Sequence, residues 1–170
     1  MSKGNIVLIV PLDPAYKAGL AGHLPVNRRR RDMIFSETIS LSTKGFSDIL
    51  DITHHVERVI DRSRMKNGLV TVFCPGSTGS VTTIEYESGV LKDLQKAIEK
   101  MIPSDIPYEH DRRWADGNGF SHVRAALMKP SLTIPLAQGR LTLGTWQQIV
   151  FIDFDNRRRE RNILVHVMGE

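Results

Sequence analysis

From Ser131 to the end the chain runs through four β-prone segments whose links are too short for a crossover, and no other feature restricts its fold as much. The segments are Ser131–Leu136, Arg140–Leu143, Gln147–Phe154 and Arg161–Met168, with Gln138-Gly139, Leu143-Gly144 and Asp155-Asn156 supplying turns. Parallel neighbours would need a dozen or more connecting residues, so antiparallel pairing is expected. Upstream the same period recurs. Phe35, Glu37, Ile39 and Leu41 alternate with Ser36, Thr38, Ser40 and Ser42; Leu69–Cys74 is a continuous β-prone run, and Val81–Glu87 returns to alternation. Two stretches switch to helical spacing. The first is predicted to start with Thr53 as cap, to bury Val56, Val59 and Ile60, and to stop at Asn67-Gly68. The second carries Leu91, Leu94, Ile98 and Met101 and ends before Pro103. The expected fold class is α+β, a mostly antiparallel β-sheet or sandwich with two main helices.

Charge divides the chain into an N-terminal basic extension, residues 1–34, and a domain, residues 35–170. Six basic side chains in residues 1–32 (Lys3, Lys17 and Arg28 to Arg31) face only Asp13 and Asp32, which accounts for the whole formal charge of +4. The remaining 17 basic and 17 acidic side chains cancel, which argues against nucleic acid as the partner of the domain. The apolar run Ile6 to Leu12 is broken by Pro11 and far shorter than the roughly 20 residues of a membrane span, so no membrane partner is expected. Cys74 is the one cysteine and cannot form an internal disulfide, which fits a cytoplasmic setting.

Chemistry-bearing residues gather where periodicity fails. Between Pro103 and Gly119 the chain has no period, and His110-Asp111, Trp114, Asp116-Gly117-Asn118-Gly119 and Ser121-His122 supply imidazole, carboxylate and amide groups within one short run. Such groups serve metal binding and acid–base work. His122 on a short helix Ser121–Met128 reads as base or metal ligand, with Asn118 and Asp116 orienting; the plain alternative is an Asx-rich surface loop with a core histidine. His110 and Glu85 are further candidate metal ligands. The loop Gly76-Ser77-Thr78-Gly79-Ser80 resembles a phosphate cradle in which Ser77 and Thr78 hold the anion, although it lacks the lysine of a Walker A loop and a hairpin turn is the simpler reading. Thr145 and Gln147 flank Trp146 at a turn. Arg157 to Arg159 read as a charged hairpin tip.

Three segments together resemble the YjbQ family: Asp116-Gly117-Asn118-Gly119 with Ser121-His122-Val123-Arg124-Ala125-Ala126-Leu127, Pro130-Ser131-Leu132-Thr133-Ile134-Pro135, and Leu143-Gly144-Thr145-Trp146-Gln147-Gln148. The likeness spans Phe35 to Glu170. It implies a homotrimeric α+β fold with a polar pocket that takes a divalent metal near subunit boundaries. It also implies a small phosphorylated ligand, since some members are credited with weak thiamine-phosphate synthase activity. By the same likeness Asn118 and His122 match the polar site motif, and Thr145 to Gln147 the Trp-containing turn. Two positions depart from the pattern: Gly76 and Phe120 stand where many members carry ligand-type side chains. Two roles follow as expectations, a small-molecule enzyme acting on phosphorylated heterocycles, or a non-catalytic ligand- or metal-binding trimer.

Overall fold

The computed structural model describes residues 34–170, so the expected basic extension, with its apolar run and four arginines, lies outside the described residues apart from Ile34. Alternation produces β1 (Ile34–Thr43), which buries Ile39 and Leu41 and turns its serines outward. Three successive left-handed residues, Gly45, Phe46 and Ser47, then reverse the chain into β2 (Asp48–Asp51), a strand the sequence reading does not contain.

Helix α1 (Thr53–Ser63) buries Val56, Val59 and Ile60 as expected, but its ends differ. Ile52 occupies the N-cap without a side-chain bond, and the Thr53 hydroxyl instead donates to Asp51 and accepts from the Ile149 N–H. The helix stops at Arg64 in a left-handed conformation, before Asn67-Gly68, and Gly68 opens β3 (Gly68–Phe73). After β4 (Gly79–Ile84), Glu87 is not a strand residue: its carboxylate accepts the Gly89 and Val90 N–H groups and caps α2 (Ser88–Met101). The aperiodic stretch contains a helix of its own, α3 (Glu109–Trp114), and is followed by α4 (Gly119–Met128), β5 (Ser131–Ala137), β6 (Arg140–Leu141), β7 (Gln148–Asp153) and β8 (Arg159–Gly169).

The strands form two antiparallel sheets, one in the order β1-β8-β3-β5-β6 and one in the order β2-β7-β4. Successive β7 and β8 therefore belong to different sheets. Ile149 and Phe151 of β7 face the core shared with α1 and the larger sheet, while Val150 and Ile152 face a second cluster with Ile98 of α2 and Ala125 of α4. A strand buried on both faces needs an unbroken apolar run, and Ile149-Val150-Phe151-Ile152 provides it. Among the described residues no helix is long and apolar enough to cross a membrane.

Candidate functional site

The corner between α3 and α4 collects the site. Ala115 ends α3 in a left-handed conformation, Gly117 follows at φ 62°, and Asn118 stands at the N-cap position of α4 without a side-chain capping bond, so the chain turns within four residues. Gly119 lets the two helices touch: a Cβ there would stand 2.4 Å from the Tyr108 Cβ. The Asp111 carboxylate accepts the Gly119 N–H at 2.8 Å, and the Asp116 carboxylate accepts that of Asn118 at 3.3 Å. These bonds hold His110, Asp111 and Asp116 so that one ligand atom of each lies within 4.8 Å of the others.

The His110 ring packs on His122, with centroids 4.4 Å apart and planes tilted by 33°. Its Nδ1 is buried and has no hydrogen-bonded partner, although Asp116 and Asp111 carboxylate oxygens stand 3.3 and 3.5 Å away. Burial, and next the neighbouring His110, push the His122 pKa below its ordinary value, while Asp116, Asp155 and Asp111 oppose the shift. His122 is thus held toward neutral imidazole, the form that accepts a proton or binds a metal.

Beneath this corner lies a buried ionic network. Arg161 donates to both Asp153 oxygens at 2.7 and 2.6 Å and to the Thr78 hydroxyl at 2.9 Å. The Thr78 hydroxyl in turn donates a hydrogen bond to Asp155 at 3.0 Å, and Arg159 pairs with Asp155 at 2.9 Å. Burial alone would raise the Asp155 pKa, yet hydrogen bonds from Arg159 and Thr78 and the two guanidinium charges hold it below the usual range. One Asp155 oxygen remains buried without a partner. The next residue joins network to site, because the Asn156 side chain donates to the Asp116 and Gly117 carbonyls and its N–H to the Asn118 carboxamide.

A sequence model described as UPF0047 protein YjbQ-like matches residues 37–170. The chain belongs to the YjbQ family. UPF0047 proteins of Archaeoglobus fulgidus and Methanothermobacter thermautotrophicus are 38% and 36% identical to it, over 74% and 81% of this chain and 96% and 94% of theirs. The fold is similar to a YbjQ-like protein of unknown function from Sulfolobus solfataricus, with TM-score 0.76 and 30% identity over 81% of this chain and 98% of that one. A hypothetical protein of Aeropyrum pernix gives TM-score 0.74 and 30% identity, over 80% and 99%.

In this YjbQ-family chain the expected site residues do not all meet. His110, Asp116 and His122 share the α3–α4 corner with Asn118, whose carboxamide oxygen is already occupied by the Ser121 hydroxyl at 2.5 Å and the Asn156 N–H at 3.2 Å. Thr78 is buried in the ionic network and its hydroxyl is committed there, so the phosphate cradle reduces to exposed Ser77. Glu85, Thr145 and Gln147 are exposed at the far end of the smaller sheet: β4 pairs Gly79 with Asp153 at one end and Ile84 with Gln148 at the other, about 17 Å away at the usual rise per residue. Glu85 therefore does not join His110 and His122 within one chain. Phe120 faces away from His122, under the Arg124 guanidinium 4.8 Å from its ring, at a cavity of about 390 Å³ that Ser47 and Glu99 also line. The sequence reading missed Asp153, Asp155, Asn156 and Arg161. Their one signal was a pair of aspartates at alternate positions ending an otherwise apolar strand.

Proposed function

We propose that the α3–α4 corner is a divalent-cation site, held by His110, Asp111 and Asp116 with His122 beside them as base, and that it acts on a small phosphorylated molecule. The buried, unbonded Nδ1 of His110 between two carboxylates carries this reading. A buried ring nitrogen without a partner costs about 1–3 kcal/mol, and a cation on its lone pair would relieve that cost while neutralising Asp111 and Asp116. Mixed imidazole and carboxylate donors suit zinc or manganese. A cation bound there would supply Lewis acidity toward a phosphoryl oxygen. His122, kept toward its neutral form, takes up a proton from a substrate hydroxyl or water, and the Asn156 bonds to Asp116 and Gly117 hold the loop against movement.

The test is elemental analysis and Mn²⁺ titration of chelator-treated protein. Stoichiometric binding that disappears in His110→Ala and Asp116→Asn is expected, and a wild type that takes up no divalent metal would end the reading. Thiamine-phosphate synthase-like transfer is the finer form of the proposal and draws its support from family likeness. It is checked by assaying pyrimidine diphosphate with thiazole phosphate against His122→Ala. A non-catalytic binding trimer is favoured by the committed Thr78 hydroxyl and by Gly76, whose missing side chain removes a ligand. Metal and phosphate binding without turnover distinguishes it. We infer a homotrimer as the assembly, supported by an exposed apolar row across the larger sheet.

A further inference from the structure

Resting on the cation-site reading, we propose that the turn between β7 and β8 is the anion-receiving lip of the same site, with Arg157 and Arg158 binding the phosphate of a small phosphomonoester. These two arginines differ from their neighbours. Arg159 and Arg161 are tied to Asp155 and Asp153, whereas Arg157 and Arg158 are exposed and have no carboxylate partner among the described residues.

The expected hairpin is not formed, because β7 and β8 lie in different sheets; an exposed turn ordinarily carries solvated charge, but this one is clamped on both sides. Asn156 donates twice to the Asp116–Gly117 backbone and its N–H reaches Asn118, while from the opposite side Phe46 donates to the Asp155 carbonyl at 2.7 Å. Gly45 packs so closely that a Cβ there would lie 2.4 Å from the Arg157 carbonyl oxygen. The arginines therefore follow directly on the residue fastened to the His110–Asp116 loop. Charge arithmetic favours a dianion. The network beneath is neutral, two arginines against two aspartates, and a divalent cation would cancel Asp111 and Asp116. On the turn itself two positive charges remain without a carboxylate partner, the complement of one phosphomonoester, and guanidinium forks match phosphate oxygens in geometry as well as charge.

Titration of the full chain with inorganic phosphate, by calorimetry and ³¹P line width, first in chelator and then with Mn²⁺, tests the proposal. Wild type binds phosphate in both conditions, more tightly with Mn²⁺. The Arg157→Ala/Arg158→Ala variant loses about tenfold or more in phosphate affinity, as expected for charge-assisted bonds, with its Mn²⁺ affinity and thermal unfolding unchanged. His110→Ala loses Mn²⁺ but keeps the phosphate binding measured in chelator. Should wild type bind no Mn²⁺ and still lose phosphate with the arginine pair, the lip stands and the cation site falls. Phosphate affinity equal in wild type and double variant, or lost only when Arg28 to Arg31 are replaced by alanine, overturns the lip.

Discussion

Burial pushes the Cys74 thiol up to about 11, against a smaller opposing pull from Arg161. Only a trace is thiolate at pH 8, and the thiolate is the reactive form. Iodoacetamide at pH 8 should leave native protein unlabelled and modify Cys74 only in urea, which mass spectrometry reads directly. The neighbouring ion pair is more consequential for folding. Asp153→Asn leaves the buried Arg161 guanidinium with only the more distant Asp155, at 3.4 Å, as counter-charge, and a lowered urea midpoint corresponding to about 3 kcal/mol is expected. His122 behaves oppositely to a salt-bridged histidine. Its folded pKa lies below the ordinary 6.5, so its contribution to stability is present above that pH and fades as pH falls through the lowered value. The wild-type urea midpoint should thus drop more between pH 7.5 and 5.5 than that of His122→Gln. At this scale legibility followed the chain: His110, Asp116, Asn118 and His122 stood out because they are neighbours in sequence. Asp155 and Arg161 did not, because β-strand ends bring them to Thr78 from far along the chain.

Elements with a long period were readable and those without one were not. Helices α1 and α2 and the longer strands carry enough repeats to reveal a face, whereas β2 is four residues and α3 six, too short for any period to show. Yet α3 is the element that delivers His110 and Asp111. Its position depends on close contact with α4, and Gly119 is the contact. Gly119→Ala would force the Tyr108 Cβ aside, separate the Asp111 carboxylate from the residue 119 N–H, and cost about 1–3 kcal/mol by overpacking. Mn²⁺ affinity should fall with it. Gly117→Ala is the matched control, because its Cβ would meet only Asn156 Nδ2 at 3.9 Å. The price there is about 1 kcal/mol of left-handed backbone strain, so its Mn²⁺ affinity should change much less. Equal metal affinities in both variants would mean that the helix contact does not position the ligands.

The pairing of strands across the molecule was hidden from the sequence, because alternation shows which residues share a face and not which strand lies alongside. That pairing turns scattered apolar residues into a surface. Ile34 pairs with Met168, Met168 with Leu69, and Leu69 with Pro135, placing one row across four strands on the face of the larger sheet away from the core. Ile34, Leu69 and Met168 are each about half exposed, and Phe73 lies along the same face. Water-facing rows of this kind mark association surfaces more often than isolated exposed residues do. If the homotrimer forms through this face, replacing Leu69 and Met168 by lysine puts like charges on adjacent strands and across the interface without disturbing the buried clusters. Light scattering after size exclusion should then read 19.2 kDa for Leu69→Lys/Met168→Lys, against three times that mass for the wild type. A trimeric double variant moves the interface to another face, and a monomeric wild type removes the assembly altogether. Measuring Mn²⁺ binding on the separated monomer then decides whether one chain holds a cation alone, as the proposed site of His110, Asp111 and Asp116 predicts.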